Sequence, residues 1–237
     1  MDLPLATMEE TATDEPAWEI KFLLPAGAAE AVEAWGRSGM TPDPHGHPDY
    51  EVTTLYLDTE RFDLFHRARE FDRGTIRVRS YGNGGPAFLE RKRRRRDRVR
   101  KRRTEIPAGE VGRLASAPGA GPWAGDWFRD EVAERGYRPA CAVAFRRTAF
   151  LGAADQGEFR LTVDRGIRCA AASAWAVPAV AAGAAPVEIP GGGAVCELKF
   201  HDAMPRPFKL LVARLGLEPG GLSKYRSACR TLGLADA

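Results

Sequence analysis

The sequence predicts an α+β fold built around a closed barrel of about eight strands, with helices over part of its outside. Three observations predict it. Segments that read as strands dominate, and helical segments fall between strand pairs or gather at the end, unlike the strict alternation of a parallel sheet. Six strand segments carry charged residues at every second position, with apolar residues between them. And 237 residues, 44% of them hydrophobic, are enough to bury a sizeable core.

Residues 1–16 read as a flexible acidic tail, followed by a single domain over 17–234. AWEIKFLLP is a strand ended by Pro25, AGAAEAVEAWGRSGM a short helix, and EVTTLYLDT a strand rich in β-formers. TERFDLFHRARE has helical spacing, with Thr59 placed to cap it. GTIRVRSYGNGGPAFLERK is a hairpin with its turn over 82–86. Lys92 ends one strand, Lys101 and Arg103 begin the next, and Arg93–Arg100 are expected to connect them. Residues 108–137 read as helical with a Gly/Pro break at 118–122. ACAVAFRRTAFLG and GEFRLTVDRGIRC form another strand pair, 170–194 an Ala/Pro/Gly-rich loop insert, and AVCELKF a last strand. PRPFKLLVARLGL, with a proline near its start, and LSKYRSACRTLG close the chain as helices.

Charge is concentrated. Arg91–Arg103 carries a net +10 while the whole chain carries +3, so the remainder sums to −7. A general nucleic-acid coat spreads its cations over a face of the domain, and nucleic acid is not expected as a partner. No apolar run reaches the length of a transmembrane segment, and the acidic N-terminus lacks the order of a signal peptide, so a cytoplasmic protein is expected. The four scattered cysteines fit reduced, buried thiols rather than a disulfide framework or a zinc site.

The period-two rule puts Glu19 with Lys21, Arg77 with Arg79, Glu90 with Lys92, and Lys101 with Arg103. It likewise groups Arg160, Thr162 and Asp164, and pairs Glu197 with Lys199; Arg147 adds a further cation. One such strand is an ordinary solvated face. Six with faces almost wholly of Arg, Lys and Glu fit a lumen lined by charge, its apolar faces turned outward. Like charges 8 Å apart repel by roughly 2 kcal/mol at an effective dielectric near 20, so a dense polyanion is the ligand that satisfies them. Arg forks and Lys ammoniums match phosphate oxygens, and the interspersed Glu19, Glu90 and Glu197 are what a bound Mg2+ or Mn2+ requires.

EIKFLLP, LYLDT, IRVRSY, FLERK, KRR, FRRTAF, FRLTVD, CELKF and LSKY, in that order from about Trp18 to Gly233, resemble the triphosphate tunnel metalloenzyme superfamily. The closest resemblance is to its VTC branch, the polyphosphate polymerase domain. The resemblance implies a closed antiparallel eight-stranded β-barrel, the triphosphate tunnel, with helices outside and at its mouth. It implies an ATP-dependent polyphosphate polymerase, a metal-dependent phosphotransferase that adds the γ-phosphate of ATP to a polyphosphate chain and releases ADP. ATP and polyphosphate are then the partners, and a divalent cation (manganese or magnesium) the cofactor.

By the same resemblance Lys21, Arg77, Arg79, Lys92, Lys101, Arg147, Arg160, Ser223 and Lys224 are phosphate ligands and Glu197 the metal-holding carboxylate. Arg103 and Lys199 join the phosphate-binding set from their place on the charged faces, and Glu19 and Glu90 join Glu197 as metal ligands. Arg77, Arg79, Lys92, Arg147 and Glu197 are expected to be catalytic; Thr162 and Asp164 support them. Ala17 stands where the related CYTH branch has the first glutamate of ExExK, which favours VTC, and Phe145 stands where the family often has tyrosine. Two alternatives stay open: a tripolyphosphate or nucleoside triphosphate hydrolase of the same fold, and a non-catalytic polyphosphate-binding module. Also open are whether the cations of 93–100 guide a polyanion or simply tip a solvated hairpin, whether His45 and His47 bind metal or sit in a solvated loop, and whether Leu210, Leu211, Leu215 and Leu217 cover the barrel or face a partner. Trp35, Trp123 and Trp127 are read as packing residues rather than stacking platforms.

Overall fold

The computed structural model describes residues 18–235 apart from 44–48, 70, 72, 83, 96–97, 118–121, 155–156, 181–182 and 188–192. The expected acidic tail over 1–16 and the His45/His47 pair lie outside the described residues. Strand β1 (Trp18–Leu24) leads to helix α1 (Ala28–Gly39), a short β2 (Thr41–Pro42), β3 (Tyr50–Asp58) and a single helical turn α2 (Asp63–His66). Then come β4 (Arg73–Tyr81), β5 (Ala87–Arg95), β6 (Arg98–Ile106), a 3-10 helix (Ala108–Ala115) and α3 (Asp126–Arg135). The long hairpin β7 (Arg138–Ala154) and β8 (Gly157–Ala171), a short β9 (Ala185–Pro186), β10 (Ala194–Phe200), α4 (Arg206–Leu215) and α5 (Lys224–Thr231) complete the chain.

The strands form one antiparallel sheet in the order β1-β10-β8-β7-β3-β4-β5-β6, with β2 beside β7 and β9 beside β8. This corrects the closed barrel expected from the sequence: β1 and β6 end the path and do not pair, so the sheet is open. It is nonetheless curled. In a flat sheet β1 and β5, six strands apart, would be separated by roughly 29 Å at about 4.8 Å per strand, yet Lys92 Nζ of β5 lies 3.4 Å from Glu19 Oε2 of β1. Side chains, not main-chain hydrogen bonds, approach across the seam. Beside this seam burial, then Lys199 and Lys92, lower the ammonium of Lys101 on β6, while Glu19 and Glu197 pull it up.

Apolar residues of the outer face gather into two large clusters. Phe22, Leu24, Phe150, Phe159, Leu161, Val163, Cys196 and Leu198 are covered by Val32 of α1 and Phe208 and Leu211 of α4. Leu55, Leu57, Ile76, Val78, Leu89 and Ile106 are covered by the 3-10 helix and by Phe128 and Val132 of α3. Each fully buried Phe or Leu contributes about 1.5–3 kcal/mol, so these clusters fix which side of every strand faces out. Part of 170–194 covers the middle of the same face, where Val180 packs on Ala142 and Ala144. Trp35, Trp123 and Trp127 are packing residues, as read from the sequence. Leu211 is buried and Leu215 and Leu217 join the first cluster, whereas Leu210 is exposed.

Two local expectations change. The helix read over 59–70 shrinks to one turn, because Phe62 and Arg67 on either side of it have positive φ and the Asp58 carboxylate captures the Leu64 and Phe65 amides. And β5 and β6 continue to Arg95 and from Arg98, where a connection over 93–100 was expected; main-chain pairing extends a ribbon whatever side chains it carries. The side chains of 94–100 lie outside the described residues, and with them the question of polyanion guidance.

Candidate functional site: the charged inner face

Cross-strand partners in an antiparallel ladder share a face, and the register carries one face across the whole sheet. Glu19 pairs with Lys199, Lys199 with Arg160; Lys21 pairs with Glu197, Glu197 with Thr162. Asp164 pairs with Arg147 and Arg147 with Tyr50. Thr54 pairs with Arg79, Arg77 with Glu90, Glu90 with Arg103, and Lys92 with Lys101. The residues that the period-two rule grouped therefore line the inner, concave face. At one end this face turns apolar, and Tyr225, Ala228 and Cys229 of α5 pack there on Val143, Phe145, Cys169 and Val195.

Three charge clusters occupy the remainder. In the first, at the seam, Lys21 Nζ lies 3.0 Å from Glu197 Oε2 and also bonds Glu19. Lys199 Nζ lies 3.1 Å from Glu197 Oε1 and 3.9 Å from Glu19 Oε2. Burial alone would push both carboxyls up, but Lys199 and Lys21 hold Glu197 well below the usual carboxylate range, and Lys21, Lys92 and Lys199 hold Glu19 below it. Both stay ionised although each is a repulsive neighbour of the other. Lys101 is the opposite case: burial, then Lys199 and Lys92, lower its ammonium against the pull of Glu19 and Glu197.

In the second cluster Glu90 accepts from Arg77 Nε at 2.6 Å and has Arg79 and Arg103 within 3.7 Å. Burial opposes ionisation, yet Arg77 and Arg79 bring Glu90 to about 2. In the third, buried Asp164 takes a bidentate pair from Arg147 at 2.6 and 2.8 Å and a third bond from Lys224 at 2.7 Å. The Phe145 ring lies under both cations, 5.3 Å from the Arg147 guanidinium and 4.7 Å from Lys224 Nζ. Lys224 opens α5, and the exposed Ser223 before it caps that helix by accepting from the Arg226 amide.

Arg160 stands slightly apart from the expected set, bound to Asp43 at 2.6 and 2.9 Å with the Tyr50 hydroxyl at 3.4 Å. Sequence reasoning missed Asp43: the pair spans 117 positions and no local pattern announces it. It also gave Asp164 only a supporting part, and read nothing into Tyr50, Tyr81 or Phe88, which share this face.

The carboxylates expected to hold metal divide. Glu19 and Glu197 come together around Lys21 and Lys199, whereas Glu90 sits among arginines; among the described residues no group of three or more His, Cys, Asp or Glu is arranged to hold an ion. Two ionised carboxylates are a short ligand set for an all-protein cage, but they suit a hard cation that keeps waters and takes other ligands from phosphate. The Thr162 hydroxyl, buried without a partner next to Glu197 in the register, is a further oxygen in want of one. Chemically, the face offers fork and point-charge donors for several phosphate groups in a row.

A family model for the VTC domain matches residues 17–233. Among curated proteins no match to the chain was found. Solved structures with the same fold include a putative adenylyl cyclase from Hippeastrum described as having a dominant triphosphatase activity, at 18% identity and a TM-score of 0.52 over 90% of this chain and 95% of that one. Two others are putative adenylate cyclases, from Bacillus halodurans (10% identity, TM-score 0.50, 88% and 93% covered) and Vibrio parahaemolyticus (13%, 0.50, 90% and 97%). At these identities the likeness is one of fold, that of the triphosphate tunnel proteins. No helix among the described residues is long and apolar enough to cross a membrane.

Proposed function

The chain belongs to the VTC domain family, and from that premise we propose that it is an ATP-dependent polyphosphate polymerase that transfers the γ-phosphate of ATP to a polyphosphate chain lying along the charged inner face. The observation that carries this reading is the single register that aligns Lys21, Lys199, Arg147, Arg79, Arg77, Arg103, Lys92 and Lys101 on one curled surface, with two ionised glutamates among them. Binding alone would gain nothing from Glu19 and Glu197; a phosphoryl transferase does. A divalent cation, Mn2+ or Mg2+, held by Glu197 and Glu19 would neutralise charge between adjacent phosphates.

Catalysis then rests on positioning and charge rather than on a protein nucleophile. Arg77 and Arg79 grip the transferring phosphate from one wall, and Arg147 from another. Lys92, Lys101 and Lys199 hold the neighbouring phosphates. Glu90 keeps Arg77 oriented through the 2.6 Å bond, and Asp164 does the same for Arg147 and Lys224. An acceptor phosphate oxygen attacks in line and ADP leaves, so the chain grows by one unit with no net change in the enzyme.

The test is to mix purified protein with ATP and Mn2+ and follow ADP, orthophosphate and long polymer together. ADP with polymer supports the polymerase. Orthophosphate as the only phosphate product favours the hydrolase of the same fold, and no turnover at all would leave a polyphosphate-binding module.

A further inference from the structure

Three aromatic side chains lie in a row on the inner face immediately beside the arginines of the second cluster. Tyr50 and Tyr81 have ring centroids 5.9 Å apart, and Tyr81 and Phe88 5.4 Å apart, edge to face. Phe88 is paired with Arg79, and Tyr50 with Arg147, so the row sits within one or two register steps of the phosphate-gripping residues. Two residues along a strand cover about 7 Å. Arg103 completes the row: its guanidinium lies 3.8 Å from the Phe88 centroid and 5.5 Å from that of Tyr81, and its nearest Glu90 oxygen is 3.7 Å away. Tyr56 offers the contrast. It points from the same face, but its ring packs at 5.2 Å on Tyr225 of α5.

We propose that Tyr81, Phe88 and the stacked Arg103, flanked by Tyr50, form a ledge that takes the nucleobase of a nucleoside triphosphate whose phosphates lie on the adjoining arginines. This rests on the polymerase reading and adds the place where its nucleotide substrate is distinguished from bare polyphosphate. A phosphate chain has no flat π-face and gains nothing from a ring, whereas a purine stacks on an aromatic or guanidinium plane. Tyr50, Tyr81 and Phe88 are each only half-buried, and the Arg103 side chain keeps 49% of its surface, so the outer plane of the stack is open. Rings among so many charges would otherwise be an odd choice for a face built to hold phosphate.

Calorimetry with two ligands, ATP and inorganic tripolyphosphate, separates the ledge from the phosphate site. Phe88→Leu is expected to weaken ATP about tenfold, the order of one base–aromatic stack, with tripolyphosphate unchanged, and Phe88→Tyr to restore ATP. If Phe88→Leu weakens both ligands alike, the ring serves only to prop Arg103, and the inference is wrong; it is equally wrong if neither ligand is affected. A reading independent of any variant comes from 2-aminopurine riboside triphosphate, whose fluorescence should be quenched on binding to the wild-type protein; an unquenched bound probe overturns the ledge. Failure of wild-type protein to bind tripolyphosphate refutes the polymerase reading itself, and the ledge with it.

Discussion

Replacing Asp164 with asparagine keeps the shape of the side chain and removes one negative charge from between two cations. Asp164 is 1% exposed, and its two oxygens take three bonds of 2.6–2.8 Å from Arg147 and Lys224. Burial by itself would raise the carboxyl, but Lys224 and Arg147 hold it at about 2, against an ordinary 3.8. A carboxyl held that low contributes about 2 kcal/mol of folding stability at neutral pH. The variant forfeits this and strands the buried Arg147 together with the half-buried Lys224, a situation that costs roughly 3 kcal/mol. The sign with pH follows from the depressed value: the contribution is complete above about 4 and is lost as pH falls towards 2. Urea unfolding at pH 7 should therefore place Asp164→Asn about 1.5 M below wild type, taking a slope of roughly 2 kcal/mol per molar. The gap should narrow at pH 3, and adding Lys224→Met should recover part of it. Equal midpoints at pH 7, or a gap as wide at pH 3 as at pH 7, would refute the reasoning.

Other expectations are as direct. Arg77→Ala and Glu197→Ala should each abolish turnover of ATP while leaving the circular dichroism spectrum unchanged; near-normal activity in either counts against the site. Lys101→Met should weaken tripolyphosphate binding, because it removes one ammonium from the charged face opposite Lys92. In the wild type, tripolyphosphate affinity should fall with rising pH earlier than an ordinary lysine would make it fall, and Lys101→Met should remove that limb; an unchanged profile contradicts it. Gly36→Ala should destabilise the fold: the added Cβ would stand 2.7 Å from the buried Phe150 ring, an overpacking cost of about 1–3 kcal/mol against about 1 kcal/mol gained in helix propensity. A higher urea midpoint for this variant would show that Phe150 can yield.

The inner face was legible because strand side chains alternate and the pattern repeats from Glu19/Lys21 to Glu197/Lys199. The same alternation cannot distinguish a closed barrel from a curled open sheet, since both put every second residue inside; only the pairing of β1 and β6 decides, and they do not pair. Long-range partners were equally invisible. Asp43 reaches Arg160 across 117 positions, and nothing in its neighbourhood marks it as different from any loop aspartate. The helix over 59–70 was read too long because helical spacing says nothing of the Asp58 carboxylate, which takes the Thr59, Leu64 and Phe65 amides together with the Tyr225 hydroxyl. Tyr81 and Phe88 escaped notice for a different reason: beside so many charges, an aromatic on a strand reads as ordinary β-propensity.

The most direct measurement incubates the protein with γ-labelled ATP, Mn2+ and a short polyphosphate primer, then separates polymer from orthophosphate on a gel. The account predicts label in chains longer than the primer, and its disappearance in Glu197→Gln. Label found only in orthophosphate, or incorporation that survives Glu197→Gln, would contradict it.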